Sequence, residues 1–169
     1  MRRLAAVWTF FVAAVCAAAP SPITTVILVR HAEKAGPAGD VPLSSAGIER
    51  ANELVRVLAG TSIAAVYTTP YLRTEQTAGP LAKAHVLELI IVKSNDTCAH
   101  DLVETIRHDH AGETVVVVGH SNTTVDVLKQ LGIANPPAIA DSQYDDLFVV
   151  TLAGDSAKLI SLRYGKAAR

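Results

Sequence analysis

Residues 24–30, Thr-Thr-Val-Ile-Leu-Val-Arg, are a short apolar run rich in β-branched side chains. Polar positions do not alternate with apolar ones, so the run reads as a strand covered on both faces, as in a parallel sheet. Residues 114–118, a threonine followed by four valines, repeat this pattern most clearly. Between them the period changes. Ile48, Ala51, Leu54, Val55 and Leu58 recur at helical spacing within residues 43–58, with Ser44 or Ser45 as a cap and Gly60 just past the end. Residues 35–41 carry Gly36, Pro37 and Gly39 and read as a loop. Residues 63–68 read as a second strand stopped by Pro70, and 86–92 as a third. Residues 72–84 read as a helix that Gly79-Pro80 kinks or delays. Residues 101–109 and 123–131 read as two further helices, and 147–152 with 158–163 as a hairpin around Gly154-Asp155. Strands alternating with helices predict an α/β fold. The expected form is a three-layer α/β/α sandwich, its sheet mostly parallel with an antiparallel C-terminal edge.

The first residues follow a different pattern. Met1-Arg2-Arg3 is basic, residues 4–19 are apolar and end in small side chains, and Pro20-Ser21-Pro22 follows. That is the composition of a secretory signal peptide. The apolar run is 16 residues, short of the roughly 20 a spanning helix needs. The expected organisation is a signal peptide over 1–19, cleaved between Ala17 and Ala19, and one domain over 20–169. An exported protein, periplasmic or secreted, follows; no stable membrane insertion is expected once the leader is gone. If uncleaved, the leader becomes an N-terminal anchor. Only Cys16 and Cys98 are present, so the exported chain would hold a single buried thiol and no intrachain disulfide, and its fold rests on its core.

Charge and composition remove two classes of function. Fifteen Lys and Arg against 16 Asp and Glu give a formal net charge of −1, without the basic excess of a nucleic-acid-binding protein. With 50% hydrophobic and 18% charged residues, the chain is not intrinsically disordered.

In open α/β sheets, ligands bind at the carboxyl ends of the strands. Those ends carry Arg30-His31-Ala32-Glu33, Thr69-Pro70-Tyr71-Leu72-Arg73, Ser94-Asn95-Asp96 and Gly119-His120-Ser121. Two arginines supply bidentate forks for phosphate oxygens. A neutral imidazole whose other nitrogen is held by an acceptor is a competent nucleophile toward phosphorus. Fixed cations around it stabilise the transition-state charge without a metal, and a nearby carboxylic acid protonates the leaving alkoxide.

Three of these segments resemble the histidine phosphatase, or phosphoglycerate-mutase-like, superfamily. Val29-Arg30-His31-Ala32-Glu33 is similar to its Arg-His-Gly signature. Residues 67–78, with Arg73 and the following Gln76-Thr77-Ala78, are similar to its second motif, and Val118-Gly119-His120-Ser121 to its late histidine motif. The order and strand contexts agree, and the resemblance spans about residues 24–152. It implies a phosphoryl acceptor at His31 and a phosphate pocket of Arg30, Arg73 and His120, with Ser121 a further phosphate contact where a helix N-terminus favours anions. It implies no metal and no cofactor. The chain departs from the family at Ala32, in place of the usual glycine, and in the short segment after the third strand, where many members carry an acid-bearing insertion. Asp96 is the first candidate for the proton donor and Glu33 the second; an ion pair with Arg30 or Arg73 is an equal reading of Glu33, and an external water is the alternative donor.

His100, His108 and His110 with Cys98 match no zinc spacing and read as a solvated helix face. His85 suits a helix C-terminus, Ser121-Asn122-Thr123 a helix cap, and Tyr144-Asp145-Asp146 a turn rather than a pocket edge. The expected activity is a metal-independent phosphatase acting on a phosphorylated small molecule or a phosphoprotein. A phosphomutase and a catalytically weak phospholigand-binding protein are the alternatives.

Overall fold

The computed structural model describes residues 21–93 and 97–167. The expected leader and Asp96 lie outside the described residues. Ten elements follow in order: β1 (Ile23–Arg30), α1 (Ser45–Leu58), β2 (Ala65–Thr68), α2 (Leu72–Ala84), β3 (Leu89–Ile91), α3 (Cys98–Asp109), β4 (Thr114–Gly119), α4 (Ser121–Gln130), β5 (Asp146–Ala153) and β6 (Ser156–Arg163). The six strands form one sheet in the order β3-β2-β4-β1-β5-β6. β3, β2, β4 and β1 run parallel, and β5 and β6 are antiparallel. The fold is therefore the expected α/β sandwich with an antiparallel C-terminal edge.

Period-2 geometry explains the two apolar runs. Val26 and Leu28 of β1 and Val115 and Val117 of β4 face α3 and α4. Ile27 and Val29 with Val116 and Val118 face the other way, against Leu54 and Leu58 of α1 and Ala78, Leu81 and Ala82 of α2. Each strand residue is buried whichever way it points, so no polar position interrupts the run. Each such Val or Leu contributes about 1.5–3 kcal/mol on burial. Cys98 is unpaired and half-buried rather than buried, at the start of α3.

Several boundaries move. β3 shrinks to three residues: Val86 has φ 58° and is 92% exposed, so the chain turns there instead of entering the sheet. Helix α2 starts on time and continues through Pro80. Ala78, Leu81 and Ala82 are buried beneath it, and that packing outweighs the hydrogen bond the proline removes. The β5–β6 hairpin turns on two residues, with Gly154 at φ 57° as the first, the type II′ pattern. His110 does not lie on a solvated face. Its Nε2 lies 2.8 Å from the buried Tyr67 hydroxyl and its Nδ1 2.7 Å from Glu113. No helix among the described residues is long and apolar enough to cross a membrane.

One close approach sets α1. Ser44 caps the helix, its Oγ accepting from Gly47 N–H at 3.2 Å and donating to the Glu33 carbonyl at 3.2 Å. A Cβ at Gly47 would overlap that same carbonyl oxygen. Gly47→Ala is therefore expected to destabilise the fold by about 1–3 kcal/mol through overpacking. Gly60→Ala, with nothing within 4 Å, is the control, and thermal melts should separate the two variants by several degrees. Equal melting temperatures would refute the close approach.

Candidate active site

Strand adjacency brings together residues far apart in the chain. Arg30 of β1 pairs with Gly119 of β4, and His31 N–H donates to the Gly119 carbonyl at 2.8 Å. His31 and His120 thus leave neighbouring strands at one level, their ring centroids 5.3 Å apart. β2 lies on the other side of β4 and delivers Thr69 and the first turn of α2. Thr69 Oγ1 is 3.0 Å from His120 Nε2, and Arg73 Nη2 is 3.5 Å from His120 Nδ1. Of the expected site residues, the structure gathers His31, His120, Arg30 and Arg73, with Ser121 opening α4 beside His120.

The hydrogen bonds fix both tautomers. His31 Nδ1 lies 2.8 Å from the Ala32 carbonyl. A carbonyl only accepts, so Nδ1 carries the proton and Nε2 keeps its lone pair. Arg73 only donates, so His120 accepts at Nδ1 and donates from Nε2 to Thr69. The Thr69 hydroxyl donates to Thr74 Oγ1 at 2.9 Å, and the single Thr74 hydroxyl proton is shared between the Thr69 and Tyr71 carbonyls, each 2.8 Å away. Burial, with Arg30, His120 and Arg73 adding to it against the Ala32 hydrogen bond, lowers His31 to a pKa of about 4. Burial, then Arg73 and Arg30, lowers His120 to about 4 as well. Both rings are neutral at pH 7.

This has a consequence for acid stability. Unfolded histidine takes up its proton near 6.5, whereas these two resist it down to about 4. The unfolded state therefore binds more protons as pH falls from 6.5 to 4, and stability is lost across that window. Urea midpoints should fall between pH 7 and pH 4.5 in the wild type, and less steeply in His120→Asn. A parallel decline in both would contradict the assignment.

The second motif also ties the site together. Thr77 Oγ1 accepts from Ala32 N–H at 3.0 Å and donates to the Arg73 carbonyl at 2.7 Å, fixing the loop after His31 to α2. Gln76 Oε1 accepts from Leu43 N–H at 2.8 Å. Ala32 is fully buried and packs with Leu43 and Ala51, so the methyl in place of glycine is accommodated. Asp40 Oδ1 accepts from Leu72 N–H at 2.8 Å and lies 3.7 Å from Arg73 Nη1. At β4, a Cβ on Gly119 would sit 2.8 Å from Thr123 Oγ1, the atom that accepts the His120 N–H.

Two expectations change here. Glu33 is not directed to the histidines. Its carboxylate is held by Arg50 Nε at 3.0 and 3.1 Å and Nη2 at 2.7 Å. Burial alone would raise its pKa, but these hydrogen bonds and the Arg50 charge hold it below the usual range. It is an ionised structural partner, poorly suited to donate a proton. Tyr144 is not merely part of a turn. Its ring centroid is 5.9 Å from that of His31, and the Arg30 guanidinium stacks 4.3 Å above it. Arg30 Nη1 also donates to the carbonyls of Ala140, Asp141 and Gln143 at 2.9–3.1 Å, clamping the segment that carries Tyr144. On the opposite side Tyr71, not singled out in the sequence, packs edge-on against His120 at 5.2 Å and under Arg73 at 4.6 Å.

Comparison with known proteins places this arrangement. The profile of the histidine phosphatase superfamily, branch 1, matches residues 26–94. Among solved structures, Bacillus stearothermophilus YhfR is 18% identical, with a TM-score of 0.65 over 80% of this chain and 95% of that one. Phosphoserine phosphatase from Entamoeba histolytica is also 18% identical, with a TM-score of 0.63 over 83% and 96%. Phosphoglycerate mutase from Bacillus anthracis is 13% identical, with a TM-score of 0.69 over 85% and 94%. No curated protein matches the sequence. The chain has the histidine phosphatase, phosphoglycerate-mutase-like superfamily fold.

Proposed function

We propose that the protein is a metal-independent phosphatase that hydrolyses a phosphomonoester, or phosphohistidine, through a phosphohistidine intermediate at His31. The observation that carries this reading is the state of His31. It is buried, neutral, held at Nδ1 by the Ala32 carbonyl, and shares its site with Arg73, His120 and Arg30. Its Nε2 lone pair forms the N–P bond while the P–O bond to the leaving group breaks and the electron pair departs with that oxygen. Arg73 and the Ser121 end of α4 face the charge on the phosphoryl oxygens, and His120, its Nε2–H on Thr69, orients the Arg73 guanidinium. Arg30 Nη1 is spent on the 140–143 carbonyls, so its phosphate contact falls to the remaining nitrogens. Water then attacks phosphorus, the N–P bond breaks, and phosphate leaves with His31 neutral again. With Glu33 committed to Arg50, Asp96 or solvent supplies the leaving-group proton. The basic and apolar leader supports action outside the cytoplasm.

The test is a rapid quench with labelled p-nitrophenyl phosphate in the presence of EDTA. An alkali-stable, acid-labile label on the peptide containing His31 is expected. A label on a different residue, or turnover that EDTA abolishes, would overturn the proposal. Tight phosphate binding with neither label nor turnover would favour the phospholigand-binding alternative.

A further inference from the structure

Tyr71, His120, His31 and Tyr144 form a continuous row of rings, with successive centroids 5.2, 5.3 and 5.9 Å apart. The two tyrosines close the row at its ends. Each gives one face to an arginine, Arg73 at 4.6 Å and Arg30 at 4.3 Å. Both are half-buried, and neither belongs to the apolar clusters that hold the sheet and helices together. They flank the pair of histidines, Tyr71 beside His120 and Tyr144 beside His31, without supporting the core.

The electrostatics point the same way. Among the described residues, the charges that act on His31 and His120 are those of Arg30 and Arg73, and the carboxylate of Asp40 lies 3.7 Å from Arg73 Nη1. Glu33, two residues on from His31, is paired with Arg50. Two fixed cations beside the phosphoryl acceptor favour a leaving group that departs as a stable anion. A phenol, with pKa about 10, does so far more readily than an aliphatic alcohol, whose acidity is nearer that of water at about 15.7.

Building on the phosphatase reading above, we propose that the tyrosine pair selects aryl phosphates: monoesters whose phosphoryl oxygen is attached directly to a planar ring. In the first step the P–O(aryl) bond breaks, the pair of electrons goes to the phenolate oxygen, and solvent protonates it after departure. The ring lies between or against Tyr71 and Tyr144, where stacked or edge contacts favour it.

Binding separates ring recognition from ease of departure. Phenylphosphonate and methylphosphonate, whose P–C bonds resist hydrolysis, are titrated into the wild-type protein by calorimetry at pH 7. Phenylphosphonate should bind about tenfold more tightly. In Tyr71→Leu and Tyr144→Leu this ratio should shrink severalfold, and in the double variant it should approach one. Tyr71→Phe and Tyr144→Phe keep the rings and should keep the ratio, which separates ring contact from any loss of fold. Equal affinity for the two phosphonates in the wild type would overturn the proposal, as would a ratio unmoved by the double leucine variant. The phosphatase reading fails differently, through the absence of a phosphoryl label on His31, so the two failures are distinguishable.

Discussion

His31→Ala should lower kcat/KM for p-nitrophenyl phosphate by on the order of 10³-fold or more, leaving little above solvent hydrolysis. The large effect is what the proposed phosphohistidine mechanism requires, since without Nε2 there is no group to carry the phosphoryl between its two half-reactions. Arg73, His120 and Arg30 remain, so phosphate should still bind. The loss should therefore fall on kcat, with inhibition by inorganic phosphate changed little. The variant should also stay folded, because the replaced ring sits at a strand end and the core clusters lie elsewhere. Removing one burial-depressed imidazole should flatten the decline in stability below pH 6.5. An alanine variant as active as the wild type would remove His31 from the mechanism. Arg73→Ala should cost about 10²–10³-fold, as expected for a donor aimed at developing charge.

Arg50→Ala should be the most destabilising single change away from the site. The Arg50 side chain is 5% exposed and saturated with acceptors. It grips the Glu33 carboxylate and donates to the Tyr164 and Lys166 carbonyls, both at 2.9 Å. Truncating it strands a carboxylate and two carbonyls at once. Breaking a buried pair costs about 3–5 kcal/mol; Glu33 is 23% exposed, which places the expected loss near the lower end. Glu33→Gln keeps a hydrogen-bonding side chain and should cost less. The two readouts should diverge. Glu33→Gln should lose stability in urea titrations while its kcat stays within a few-fold of wild type. A folded Glu33→Gln with kcat reduced 10²-fold would restore Glu33 as the acid.

The sandwich was legible because β1 and β4 are central. Strands buried on both faces leave uninterrupted apolar runs, and a run followed at once by Arg-His or Gly-His marks both the strand and its functional end. Edge elements were less legible. β3 borders solvent, with Ile90 and Ile91 over 40% exposed, so its sequence does not carry its boundaries, and a single residue of positive φ cut it short. The His31, His120, Arg73 and Arg30 cluster could be foreseen because parallel strands align their ends. The fate of Glu33 could not. Its partner Arg50 is on α1, and nothing in the spacing of 33 and 50 says that a helix face turns that guanidinium inward. Tyr144 was missed for a related reason: its place depends on Arg30 gathering the carbonyls of a segment 110 residues away. Tyr71 carried a weak signal, an aromatic residue two positions before the motif arginine.

The direction of β1 decides how the domain would face if tethered. The strand enters at Ile23 and delivers His31 immediately after Arg30, its eighth residue. At about 3.3 Å per residue, that is roughly 25 Å of travel through the body of the sheet. Ser21 and Pro22 lie beside Gly154 and Gly112 at the far end. A partner joined directly at Ser21 therefore sits at the pole opposite the histidines. A surface, a bead or a fused partner joined there would hold the molecule by its base, with the histidine-bearing pole turned toward whatever diffuses past.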